Sequence, residues 1–339
     1  MSRNIRVLIT GINGFVGSKI AEKLVHLKNY RVSGLVRTTS DLTFLKPFIK
    51  NIKLFHGNID NKGSLLNAFR NQDIVIHIAG FASDWGKYQV FYDANVKGVK
   101  NVAELCLQNK VKHLIHFSSI SIYGFKKKIN AGENTKVSRN RYNYCKTKLL
   151  GEKTIEHFMD VFNLPATIIQ PGLIYGPNDH TMSYKMINAI NTYQFGMCDN
   201  GRHLFSSLYI DNLIQAILLI MTKPKKSLKK KYIITDDIKV TWREFTRHLC
   251  DILEKPMPWI NMPCIFGRVG AVVSESIYWL LRIKKPPLMT NYRISLASRD
   301  FHFSTKRIMK ELGYKPDRDI KKNLKITIDH YNEWANQID

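Results

Sequence analysis

The sequence is short of cysteine and of acidic side chains. Its five cysteines, Cys106, Cys145, Cys198, Cys250 and Cys264, are far apart, odd in number and form no CxxC pair. That spacing excludes a disulfide framework and the usual zinc sites, and makes a reducing cytosol the expected compartment. No apolar run reaches the length of a bilayer span. The most lipophilic stretch, 259–283, is broken by Arg268, Glu275 and Arg282. The opening residues run straight into a strand pattern, so no signal peptide is expected. No internal repeat is visible.

Aspartate and glutamate number 27 against 52 lysines and arginines, a net charge of +25. Such an excess invites a nucleic-acid partner. The basic residues are spread along the chain, however, and no DNA- or RNA-binding motif accompanies them. The densest runs, 126–128 and 223–231, read as loops. The expectation is a solvated lysine surface and no nucleic acid, with attraction to anionic lipid or a phosphorylated ligand as the lesser reading.

What is present is an alternation. Apolar runs at 5–10, 31–36, 52–57, 73–79, 112–119, 166–171 and 232–235 are separated by segments of helical length. Strand–helix–strand repetition builds a parallel sheet covered on both faces, and its strands are nearly all apolar. The pattern predicts an α/β fold: a Rossmann-type doubly wound sheet with a smaller, mostly helical C-terminal part. The expected boundaries are 1–180 for the dinucleotide-binding domain, with a returning segment near 207–236. Residues 181–206 and 237–339 then form the substrate-binding part.

The segment VLITGINGFVGSKIAEKL sets Gly11, Gly14 and Gly17 between a strand and a helix. Gly11 permits the tight turn, Gly14 lets backbone approach a pyrophosphate, and Gly17 lets the helix pack on the strand. The helix N-terminus offers free N–H groups to phosphates. At the end of the second strand, about 20 residues on, an acid would bind the ribose 2′-hydroxyl. The sequence has Arg37 there, followed by Thr38, Thr39 and Ser40, which suit a 2′-phosphate. NADP(H) is favoured, with NAD(H) the alternative. Asp41 lies far along the loop.

Two Tyr-x-x-x-Lys pairs, Tyr142/Lys146 and Tyr144/Lys148, fall in one helical segment, and spacing alone does not choose between them. A nearby ammonium and a positive nicotinamide ring stabilise a phenolate, so that tyrosine can move the proton of an alcohol or ketone. Upstream, Ser118, Ser119 and Ser121 follow a strand, where a hydroxyl can bind the substrate oxygen.

Over almost its whole length the chain resembles the extended short-chain dehydrogenase/reductase superfamily, through TGINGFVG, HIAG, NVKG, SSISIYG, YCKTKLLGE and PGLIYGP. The resemblance selects Tyr144, with Thr147, Lys148 and Glu152 in the matching places. It points to Ser119, five residues before Gly124, as the catalytic serine, with Ser118 the neighbouring alternative. It implies that Lys148 also contacts the nicotinamide ribose. The implied cofactor groove is lined by Asn13, Phe15 and Val16 of the glycine loop, Asn58 and Ile59, His77, Ala79 and Gly80, and Asn95 and Pro171. GLVRTTSD, FASDWGKYQVFYDANVKG, LYIDNLIQAILL, VTWREF and the late PPLMTNYRISLASRDFHFSTKRIMKELGYKP resemble 3β-hydroxysteroid dehydrogenase-like and dihydroflavonol reductase-like members. Departures are Gln170 where arginine is frequent, Val99 where threonine is usual, and Asn58 for a common aspartate.

Other features are weaker. His113 and His116, three apart in a strand, point to opposite faces and do not suit a metal. Asp84 and Trp85 line a pocket mouth or pack a loop. Apolar residues at Ile265, Val269, Val272, Val273, Ile277 and Leu280 have helical spacing, with Arg268 and Glu275 on the polar side. A core-facing helix is the plain expectation, and a lid or a peripheral membrane contact the other. The leading functional expectation is an NAD(P)-dependent oxidoreductase for a lipophilic secondary alcohol or ketone. A nucleotide-sugar epimerase or dehydratase comes second, and a non-enzymatic dinucleotide-binding regulator third. A homodimer stays open.

Overall fold

The computed structural model describes residues 4–336. Seven strands form one parallel sheet: β1 (Ile5–Thr10), β2 (Tyr30–Val36), β3 (Ile52–His56), β4 (Ile74–His77), β5 (His113–Phe117), β6 (Ala166–Pro171) and β7 (Lys230–Ile234). Their order is β3-β2-β1-β4-β5-β6-β7. The chain therefore reverses direction across the sheet between β1 and β4, and ligands of such sheets sit at the carboxyl ends of the strands at that point. All seven predicted runs lie in this sheet. β4 and β5 are shorter than their apolar runs because the chain leaves the sheet early; the Ala79 N–H instead reaches Thr10 O at 3.1 Å.

The strands are apolar at successive positions because each face has its own core. Val7, Ile9, Ile76 and Ile115 pack with α1 (Phe15–His26) and α4 (Ile210–Thr222). Leu8, Val75, Leu114 and Ile168 pack with α2 (Gly98–Gln108) and α3 (Asn143–Val161). Side chains alternate across a strand, so neighbours in sequence feed opposite cores.

The C-terminal part is mostly helical and also carries short strands that the periodicity did not reveal. Val240–Thr241, Leu204–Phe205 and Phe301–Phe303 join Lys128–Ala131, from the first part of the chain, in a four-stranded sheet. Two- to four-residue strands are too short to register as a pattern.

Two expectations are corrected. The lysine runs are not plain loops. Lys128 begins a strand and is buried. Lys223 donates to Leu312 O at 2.7 Å, Lys230 pairs with Glu311 at 2.7 Å and Lys231 pairs with Glu156 at 2.8 Å. These ammonium groups tie β7 and its approach to neighbouring elements.

The second correction is the orientation of α5 (Cys264–Leu280). Its apolar residues do not face the core. Ile265, Val269, Val272, Val273, Ile277 and Leu280 are all exposed, while Cys264, Gly267 and Ala271 are buried. The polar side faces the protein: Arg268 donates to Ser298 Oγ, and Glu275 accepts from the backbone and amide of Asn291 at 2.7 Å each. Helical periodicity marks an apolar stripe but not which way it turns.

Candidate active site

The glycine loop leaves β1 through Gly11, whose φ of +72° only glycine adopts without strain. A Cβ at Gly17 would stand 2.2 Å from Gly11 O, so α1 packs where no other residue fits. Gly14 caps α1, no side chain bonds the helix start, and its first turn holds no acid. Its N–H groups therefore face the groove with their partial positive charge. A Cβ at Gly14 would meet only Gly11 O, at 3.5 Å. These features fit a dinucleotide pyrophosphate. Asn13, Phe15 and Val16 belong to the same turn.

Arg37 follows β2 directly and is exposed, its N–H bonded to Ser40 Oγ at 3.0 Å. Asp41 is engaged within its own loop. Its Oδ1 accepts from Thr43 N at 2.9 Å and Thr43 Oγ1 at 2.7 Å, and these bonds hold its carboxyl below the usual range. Asn13 Nδ2 pins the same loop by donating to Asp41 O at 3.1 Å. Asn58 and Ile59 lie just past β3. The Asn58 N–H bonds Ser64 Oγ at 3.0 Å, and Ile59 O accepts from Asn101 at 2.8 Å.

His77, Ala79 and Gly80 form the turn after β4. His77 Nδ1 and Thr10 Oγ1 are 2.7 Å apart. Asn95 is buried, and its amide is spent on the wall of the groove: Oδ1 accepts from Phe81 N at 2.8 Å and Nδ2 donates to Thr147 Oγ1 at 3.1 Å. Pro171 is buried at the end of β6. Neither Asn95 nor Pro171 stands free in the groove.

Tyr144 and Lys148 are one turn apart on α3 and share a face. The other pair does not. Tyr142 precedes the helix, and its hydroxyl donates to Asn291 O at 2.9 Å, while Lys146 is exposed. Lys148 is buried and donates to Phe117 O. Burial lowers its pKa to about 8, partly offset by the Glu152 carboxylate. Burial pushes the Tyr144 phenol up to about 12, and the nearby Ser119 hydroxyl pulls it back. A phenol in that state holds its proton at neutral pH until further positive charge arrives.

The two adjacent serines separate. Ser118 donates to the Glu152 carboxylate in the interior. Ser119 stands beside Tyr144 and accepts from Ser121 N at 3.1 Å. Residues that local sequence did not flag complete the wall. Tyr292, on α6 (Asn291–Ala297), packs its ring 6.3 Å from Tyr144, 5.5 Å from Tyr142 and 5.1 Å from Phe125. Only the folding of the C-terminal part brings it there. Asp84 and Trp85 serve this wall by packing: Asp84 accepts from Thr290 Oγ1 at 2.7 Å and Arg293 Nε at 2.6 Å, and Trp85 Nε1 donates to Ile283 O at 3.2 Å.

His113 and His116 do turn to opposite faces. His113 bonds Thr167 Oγ1 at 2.8 Å, whereas His116 stacks 5.5 Å from His77. Among the described residues no His, Cys, Asp and Glu group suits a metal ion.

The model of the NAD dependent epimerase/dehydratase family matches residues 7–235. The chain belongs to that family. It is similar to 3beta-hydroxysteroid-dehydrogenase/decarboxylase isoform 1 of Arabidopsis thaliana, 25% identical, with 97% of this chain and 80% of the relative covered. It is equally similar to a 2-alkyl-3-oxoalkanoate reductase of Shewanella oneidensis, 25% identical over 94% and 84%. Among solved structures, gox2253 superposes with a TM-score of 0.81 at 24% identity, covering 98% of this chain and 99% of that one. The dTDP-glucose 4,6-dehydratase DesIV of Streptomyces venezuelae, solved with NAD and TYD, gives 0.80 at 19%, covering 98% of each. The protein is thus an extended short-chain dehydrogenase/reductase enzyme with the fold its sequence predicts.

Proposed function

We propose that this family member interconverts a lipophilic secondary alcohol and its ketone, with NADP(H) preferred over NAD(H). The observation that carries the reading is Tyr144 and Lys148 on one face of α3, with Ser119 beside the phenol and an aromatic wall of Tyr142, Tyr292 and Phe125 around them. Aromatic faces favour an apolar substrate body.

When bound, the dinucleotide accepts or supplies hydride at its nicotinamide ring. Tyr144 Oη takes the alcohol proton as the carbonyl forms and returns it in the reverse direction. Lys148, one turn away, supplies positive charge that lowers the cost of the phenolate, and would contact the nicotinamide ribose. Ser119 Oγ donates to the substrate oxygen and polarises it. Asn95 acts at one remove, by tying the backbone at Phe81 to Thr147 of α3. Arg37 is the group that would meet a 2′-phosphate.

A nucleotide-sugar reaction is the second reading. One observation favours it: the chain is 29% identical to a dTDP-D-glucose 4,6-dehydratase of Dictyostelium discoideum over 64% of its length. A panel of steroids, long-chain ketones and nucleotide sugars, followed with NADH and NADPH separately, decides between them. Net oxidation of NADPH by an apolar ketone is expected. Conversion of a nucleotide sugar without net cofactor turnover would overturn the reading.

A further inference from the structure

Among the described residues, most of the large hydrophobic side chains that are more than half exposed lie on the outward face of α5 and its flanks. This face includes Trp279 near the end of the helix, 77% exposed, and continues beyond the helix through Trp259, Leu281 and Leu288, which are 82%, 63% and 87% exposed. Soluble monomers seldom expose a contiguous apolar surface on this scale unless something covers it. The helix does not cross a bilayer: among the described residues no helix is long and apolar enough.

The charges around this face are of one sign. Within 259–288 the charged residues are Arg268, Glu275, Arg282, Lys284 and Lys285. Arg268 and Glu275 turn inward to Ser298 and Asn291. The remaining three are exposed and basic. A second copy is a poor occupant, because a two-fold contact sets a patch against itself and no exposed carboxylate in this stretch answers Arg282, Lys284 and Lys285. An anionic lipid surface answers both properties at once. An apolar helix face sinks below the headgroups, tryptophans sit at the polar boundary, and lysines meet the lipid charge.

We propose that α5 and its flanks form a monotopic docking surface for an anionic bilayer, with α5 lying parallel to the membrane plane. The same helix holds α6 through Glu275 and Asn291, and α6 carries Tyr292 into the site. Docking would therefore hold α6 and the aromatic wall of the site directly behind the lipid-facing helix.

The test is flotation of the full chain with vesicles of phosphatidylglycerol and phosphatidylcholine, or of phosphatidylcholine alone, at 0.15 M salt. At least tenfold more protein should float with the anionic vesicles, and tryptophan emission should shift to the blue. The double variant Val269→Asp/Val273→Asp, at exposed positions, should lose at least tenfold of that binding with unchanged circular dichroism. The variant Lys284→Glu/Lys285→Glu should remove the preference for anionic lipid. No flotation of the wild type, or equal flotation with both vesicles, overturns the proposal. So does a stable dimer in solution that already shields Trp279 from a soluble quencher. The measurement needs no substrate, so its failure would leave the hydride-transfer reading standing.

Discussion

Gln170 donates to both carboxylate oxygens of Glu152 at 2.9 Å, and its own Oε1 accepts from Tyr123 at 2.9 Å. Glu152 also accepts from Ser118 and lies 3.4 Å from Lys231. Resembling sequences often have arginine at position 170; here the neutral amide leaves the positive charge to Lys231 on the adjoining strand. The pair is fully interior, so removing one partner strands the other. Gln170→Leu should lower stability by about 1–3 kcal/mol, seen as an earlier midpoint in urea denaturation with the slope unchanged.

Tyr142 and Tyr144 should separate cleanly by kinetics. Tyr144→Phe removes the proton-transfer group and should lower kcat about 10²- to 10⁴-fold, with cofactor affinity retained. Tyr142→Phe loses only the bonds to Asn291 and Ser295. It should cost about 1 kcal/mol of stability and leave kcat nearly intact. A fully active Tyr144→Phe enzyme would remove that residue from the mechanism.

His77 and His113 are buried, and desolvation lowers their pKa values to about 3 and about 4; His116 is also held well below its usual value. Above pH 6.5 both folded and unfolded chains hold these rings neutral, and the folded state keeps its full stability. From pH 6.5 down to 4 the unfolded chain takes up protons that the folded chain refuses. Each ring then removes about 1.4 kcal/mol per pH unit. Urea midpoints at pH 7, 6 and 5 should fall accordingly. His113→Val should flatten the slope, since Thr167 keeps its bond to Ser227 O.

The sheet was legible because doubly covered parallel strands leave long apolar runs, and the turn at Gly11 because it needs one residue type. Tyr144 and Tyr142 were not separable by spacing, since both have a lysine four residues on. What separates them is that Tyr142 stands outside the helix, and the resemblance reached Tyr144 by its neighbours Thr147 and Glu152. The segment around Tyr292 shares the resemblance, but nothing in it singles out the tyrosine, because its role depends on how the C-terminal part folds over α3. The direction of α5 was equally hidden: Arg268 and Glu275 looked like a solvent side, yet Ser298 and Asn291 wait for them inside.

Arg37 offers a direct reading of cofactor choice. A charge-assisted arginine–phosphate contact contributes about 1.5–3 kcal/mol. Arg37→Asp should therefore raise the KM for NADPH about 10- to 100-fold, and the new carboxylate should improve NADH by offering an acceptor to the ribose hydroxyls. Unchanged selectivity in initial-rate assays with both cofactors would remove Arg37 from the 2′-phosphate site.

Lys148 should show a conflict between stability and activity. Its folded pKa of about 8 lies below the 10.5 of the exposed group, chiefly through burial. Between pH 8 and 10.5 the unfolded chain holds a proton that the folded chain has released, so this residue's contribution to stability rises with pH across that window. At pH 7 both states carry the charge, and the folded state bears the full cost of burying it, up to about 3 kcal/mol. Lys148→Met keeps most of the side-chain length and removes the charge. It should raise the melting temperature at pH 7, with a gain that shrinks by pH 10, while turnover falls to the level of Tyr144→Phe. A variant that melts lower at pH 7 than the wild type would show that the bond to Phe117 O and the attraction of Glu152 outweigh the desolvation of the ammonium.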